Sequence, residues 1–72
     1  MRNKERIDVF AYEFAEIWKH SFQDLRFGQL CMNFFSWLQS TKAKDPFFPE
    51  EPDMIKYFRE FANENTPWNR KS

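Results

Sequence analysis

Apolar side chains recur at steps of three and four in three stretches of the chain, and polar or proline-rich breaks separate them. Ile7, Phe10, Ala11, Phe14, Ile17 and Trp18 form the first stripe, which predicts a helix over residues 4–19. Asn3 is the candidate N-cap. Asp8, Glu13, Glu16 and Lys19 mark much of its wet face, while Val9 and Tyr12 fall off the stripe and make the helix apolar on more than one side.

The pattern breaks between His20 and Asp24. Asp24 is the candidate cap of a second helix over residues 25–39, whose stripe is Phe27, Leu30, Cys31, Phe34 and Leu38. Met32, Phe35 and Trp37 widen that stripe, so this helix is expected either at the centre of a bundle or against something else. Gly28, the only glycine, costs about 1 kcal/mol relative to Ala inside a helix, and its expected use is to admit a neighbouring helix or ring. A turn-specific backbone angle is the alternative.

Residues 40–52 form the long connection. Residues 40–44 are polar, and Pro46, Pro49 and Pro52 stiffen residues 45–52 by fixing φ and disfavouring helix in the residue before each. Phe47 and Phe48 project from this stiff segment, and at least one ring is expected to plug the end of the core. Pro52 suits the first position of a third helix, with Glu51 and Asp53 at the positive end of its dipole. Met54, Ile55, Tyr57, Phe58, Phe61 and Ala62 are its apolar stripe, ending near residues 63–65. The fold expected is all-α, a small three-helix bundle with a proline-rich loop before the last helix. It forms one domain over residues 1–72, ordered over about 4–65, with a tail at 66–72 in which Trp68 folds back on the bundle.

Composition sharpens this picture. The chain has 72 residues, eleven basic and eleven acidic, so the formal net charge is zero. Ten Phe, three Trp and two Tyr place 21% of the residues in aromatic rings. That excludes a disordered tail and a basic nucleic-acid or membrane arm. The mean hydropathy of −0.83 understates the apolar content, because rings each bury about 150–250 Å² yet score low on that scale. A core of rings is expected. A chain this short reaches roughly 3–5 kcal/mol without staples, and its lone Cys31 cannot pair internally. No stretch approaches a membrane span, and Asp8, Glu13 and Glu16 interrupt any secretory apolar region behind the basic N-terminus. With a single thiol, the expected location is the cytoplasm.

The inventory for catalysis is thin. Cys31 lies on the most apolar stripe and reads as structural. His20 falls at the end of the first helix, where it complements the dipole or binds free carbonyls. One Cys and one His make no standard zinc site, so neither metal nor cofactor is expected, and no enzyme. Asp45, Glu50, Glu51 and Asp53 form an acidic cluster that fails as a calcium loop. It reads as a capped helix start in an exposed loop, or as a docking loop for a basic partner.

Two segments resemble a family of small, uncharacterised bacterial and phage proteins. Residues 24–30, Asp-Leu-Arg-Phe-Gly-Gln-Leu, with Asn33 beyond them, are similar to an LRxGQLxxN pattern. Residues 45–51, Asp-Pro-Phe-Phe-Pro-Glu-Glu, are similar to a DxFYxED pattern before the last helix, and Arg6-Ile7-Asp8 with Ile17-Trp18 match the opening helix. The resemblance covers about residues 6–61. It implies a compact helical domain of phage or mobile-element origin and no established activity; Pro49 and Pro52 depart from the usual acidic run. Arg26, Gln29 and Asn33 make a polar strip beside the apolar face. The expectation is a brace to the acidic loop, with Arg26 on Asp45, Glu50 or Glu51, or else a recognition strip.

The function expected is a small non-catalytic interaction module that binds a protein partner or itself as a homodimer. Met32, Phe35, Trp37, Phe47 and Phe48 form its candidate surface. The alternative is a helix-turn-helix-like DNA-associated regulator. Nucleic acid is not the expected partner, because residues 25–39 carry only Arg26 as a cation.

Overall fold

The computed structural model describes residues 3–65; the expectation placed on Trp68 lies outside them. Among the described residues there are three helices and no strand: α1 (Glu5–Ser21), α2 (Phe27–Thr41) and α3 (Glu51–Asn65). The all-α expectation holds.

α1 and α3 run parallel. Arg6 pairs with Glu51 at 2.9 Å, Glu13 with Arg59 at 2.6 Å, and the rings of Phe14 and Phe58 stack at 4.7 Å. The sequence separation stays nearly constant along these three contacts, which only parallel helices allow. α3 packs against both α1 and α2, whereas the backbones of α1 and α2 stay apart among the described residues. The centre of the fold is therefore α3, not the richly apolar α2. α2 carries the chain back between two parallel helices, and its side chains meet the other two mainly through rings.

Those rings make the core. Phe58, Leu30 and Leu38 are fully enclosed, with Phe22, Phe34, Ile55, Phe61 and Ala62 buried around them. Phe58 is the hub: it meets Phe14, Phe34, Phe22 and Phe61 at centroid distances of 4.7, 5.0, 6.1 and 6.3 Å. Offset and edge-on pairs of this kind add about 0.5–1.5 kcal/mol each beyond area burial. α1 contributes no fully buried side chain; Phe10, Phe14, Ile17 and Trp18 lean half-buried against the cluster. Phe22 is a core residue outside any helix, stacked on Phe61 at 5.2 Å.

The helix ends depart from the sequence pattern in several places. Asn3, the expected cap of α1, stands one residue before the N-cap Lys4; its Oδ1 accepts the Glu5 N–H at 2.9 Å and so turns the chain into the helix. Asp24 does not cap α2. The Leu25 N–H donates to the Phe22 carbonyl, the Leu25 carbonyl accepts the Trp18 indole N–H, and the helix begins two residues later. Arg26 holds the extended N-cap backbone, ψ 156°, and Gln29 Oε1 accepts its N–H at 2.9 Å. That is half of a capping box; a guanidinium accepts nothing and so cannot supply the other half. At the far end, the Lys42 and Lys44 N–H groups both donate to the Leu38 carbonyl, with Ala43 left-handed between them at φ 56°. This is the work of a C-terminal glycine, done by a residue with a Cβ. α3 starts at Glu51, so Pro52 sits one position later than expected, still within the first turn where no N–H is missed.

Gly28 is not a packing notch. A Cβ built there meets nothing within 4 Å, and its φ is not positive.

Candidate functional site

α2 separates two concave surfaces. One is a polar cleft of about 630 Å³ bordered by His20, Asp24, Asn33, Trp37 and Asn65. The other is an apolar groove of about 530 Å³ between α1 and α2, floored by Phe14, Leu30, Phe34 and Phe58 and closed at one end by Pro46, Phe47 and Pro49 of the loop. The groove exists because α1 and α2 do not close on each other over α3. Leu30, Cys31, Phe34 and Phe35 line it from α2 at helical spacing, and Ile7, Phe10 and Phe14 from α1.

The groove is bordered by rings that the fold leaves in water. Phe27 is 59% exposed, Phe35 38% and Phe47 83%; outside its lining, Phe48, packed on Phe47, is 73% exposed, and Met32, one turn from Phe35 and Gly28, is 70% exposed. Four of the five residues expected to form an interaction surface are thus exposed, but only Phe35 and Phe47 line this groove, and Phe48 lines a smaller hollow with Asp53 and Tyr57. Trp37 is the exception. It packs on Phe61 at 5.5 Å and on Phe34 at 6.2 Å, donates its indole N–H to Glu64 Oε1 at 2.9 Å, and lies under the Lys42 ammonium at 5.9 Å. Lys42 in turn binds Glu60 at 2.7 Å, and that hydrogen bond raises its pKa. Periodicity places Phe27 only in the core stripe, yet it stands at the groove's α1 side. It meets Phe14 and Trp18 edge-on or tilted while most of it stays wet.

Neither Phe47 nor Phe48 plugs the core. Asp45 Oδ1 accepts the Phe47 N–H at 3.0 Å and the Asp45 carbonyl accepts the Phe48 N–H at 3.2 Å, which turns the chain so that both rings point outward. They pack edge-to-face on each other at 5.0 Å. Pro46 and Pro49 brace this turn on either side.

The polar strip and the acidic loop do not join as expected. Glu51 pairs with Arg6 of α1, not with Arg26. Gln29 is spent on the Arg26 backbone, and Asn33 faces the polar cleft, across α2 from the loop. Asp45 makes the turn under Phe47, Asp53 lies exposed in the first turn of α3, and Glu50 supplies the carbonyl that accepts the first α3 bond from Met54. These carboxylates shape a loop and a helix start rather than one site.

Cys31 and His20 do not meet. The thiol lines the apolar groove, where burial pushes its pKa up, and the imidazole lines the polar cleft on the other side of α2. Among the described residues no group of three or more His, Cys, Asp or Glu stands ready to hold a metal, and no helix is long and apolar enough to cross a membrane. Comparison with family models, with curated proteins and with solved structures finds no match, so a function is to be argued from this geometry alone.

Proposed function

We propose that this chain is a small, non-catalytic interaction module that acts by binding a protein through the groove between α1 and α2. The observation that carries this reading is the ring border. Phe27, Phe35 and Phe47 stay in water around one groove, with the exposed Phe48 packed edge-on against Phe47, in a protein that buries or half-buries its other phenylalanines in the core. Contiguous apolar surface of this extent marks an interface in soluble proteins. Aromatic side chains standing at a concave site are the usual anchors of binding energy.

The alternative of a DNA-associated regulator draws less support. α2 has no Lys or Arg from Phe27 to Thr41, so a recognition helix here would meet phosphate without a cation. The separation of Cys31 from His20 supports a non-catalytic reading, because a thiolate nucleophile needs its base within hydrogen-bond reach. The lone thiol suits a reducing compartment, and the proposal places the protein in the cytoplasm.

The test is affinity capture from source-cell extract with the parent chain and with Phe35→Asp, whose helical content is first matched by circular dichroism. The expected result is a protein retained by the parent and lost from the variant. Identical captures by both, or an absence of apolar dye binding to the parent at high dilution, would overturn the reading.

A further inference from the structure

We infer that the occupant of the groove is a second copy of this chain, which inserts its Phe47–Phe48 finger there while receiving the partner's finger in return. This rests on the reading that the groove is a protein-docking surface, and it goes on to name the protein. Three observations select a second copy.

The first is that one face carries both a hole and its plug. The groove is apolar and open; the finger beside it is an aromatic pair held outward by the Asp45 turn and two prolines. A rigid pair of rings enters a pocket at low entropic cost. Two complementary features on one face are what a two-fold axis needs, since each copy then satisfies the other with the same patch.

The second is that the finger stands at the edge of its own groove and does not fill it. Phe47 already lines the groove's wall while 83% exposed, and the Asp45 bonds to the Phe47 and Phe48 N–H groups fix the backbone that carries both rings at the groove's edge. The loop is also tethered at both ends, by Lys42 and Lys44 on the Leu38 carbonyl and by Met54 on the Glu50 carbonyl. Reciprocal exchange leaves that backbone as it is.

The third is area. At about 200 Å² for a whole ring side chain, the exposed fractions of Phe27, Phe35, Phe47 and Phe48 leave roughly 500 Å² of ring surface in water. A standard interface buries about 800 Å² per partner, a little over half of it apolar. The patch therefore matches the apolar part of one such face, and Ile7 and Met32 extend it. Electrostatics does not oppose the encounter, since the chain's formal net charge is zero.

The experiment is sedimentation equilibrium on the full chain from low micromolar to several hundred micromolar, with apolar dye binding followed over the same range. A dimer is expected, with dye binding per chain falling as the dimer forms. Phe48→Asp, in the finger, and Phe35→Asp, in the groove, should each weaken dimerisation by at least about tenfold while leaving helical content intact. Mixing the two variants restores one intact finger-and-groove contact, so the mixture forms a heterodimer more tightly than either variant pairs with itself. A parent that stays monomeric yet binds dye would overturn the second copy as occupant and leave the docking surface standing. A monomer that binds no dye would overturn both. A dimer untouched by either variant, or a mixture with no gain, would show that the contact is not reciprocal finger insertion.

Discussion

Truncating Phe58 to Ala should unfold the protein. The ring is wholly enclosed and sits at the junction of all three helices, against Phe14 of α1, Phe34 of α2 and Phe61 of its own helix. Phe→Ala in a core costs about 3–5 kcal/mol, the lost transfer energy plus that of the cavity left behind. A single small core of this kind holds roughly 3–5 kcal/mol in all. The two figures are equal in size, so Phe58→Ala leaves little or no folded population at room temperature. Phe58→Leu keeps aliphatic bulk but gives up the ring pairs to Phe14 and Phe34, a loss of about 1–3 kcal/mol. Each kilocalorie lowers the midpoint of a domain this size by about 4–8 °C, so the Leu variant melts roughly 5–20 °C below the parent. The control is Phe47→Ala, the same chemical change at a ring in water, which should move monomer stability by less than about 0.5 kcal/mol. Far-UV circular dichroism against temperature and urea, at the lowest workable concentration, reads all three. A Phe58→Ala protein melting cooperatively within a few degrees of the parent would refute the hub. A Phe47→Ala protein as damaged as Phe58→Leu would refute the assignment of Phe47 to the surface.

Gly28→Ala should stabilise by up to about 1 kcal/mol in urea titration, because the added methyl meets open space and helix propensity rises; a loss would mean something packs there. Ala43→Gly should raise the melting midpoint by relieving the left-handed strain of about 1–2 kcal/mol, less the extra freedom glycine gives the unfolded chain, with a net gain below about 1 kcal/mol. Arg26→Met should leave amide exchange over residues 47–53 unchanged, since Arg6 holds Glu51; Arg6→Met should speed it. Cys31 should alkylate more slowly in the folded protein than in urea near pH 8, because burial raises its pKa. The folded thiol binds its proton more tightly than the unfolded one, so its contribution to stability is intact below the unfolded pKa. That contribution is lost as pH rises through the folded value, seen as a falling urea midpoint in mildly alkaline solution.

The three helices are legible because each repeats its apolar residues at helical spacing for about four turns, and their limits fall within two residues of expectation. Periodicity cannot show what is decided between helices. Phe22 stands in a break in the pattern, so nothing local marks it as core; only the approach of Phe58 and Phe61 buries it. The left-handed stop at Ala43 carries no glycine to announce it. Gly28 invites a packing role because a glycine in a helix wants a reason, and the structure provides no neighbour for it. The exposed surface is legible at Met32, Phe35, Phe47 and Phe48 by counting rings against the circumference available. The same count misplaces Trp37, because it cannot show that Glu64 stands near the end of α3 to accept a hydrogen bond from its indole N–H.

Parallel packing of α1 and α3 links these points to the groove. Two helices joined by a short turn run antiparallel and leave a third to fill the valley between them. Here the chain must return the length of α1 before α3 begins, and α2 with its proline-rich loop makes that return. A returning helix rests on the pair through whatever side chains reach, and its contacts concentrate on α3, where Phe58 and Phe61 stand. The valley toward α1 stays open because Phe27 touches α1 only edge-on to Phe14 and tilted to Trp18. The same return path brings the loop to the groove's end, which sets Phe47, with Phe48 packed against it, beside the apolar opening they do not fill. Hole and plug are thus consequences of one topological choice, and a substitution that let α1 and α2 close would remove both the groove and the reason for the finger.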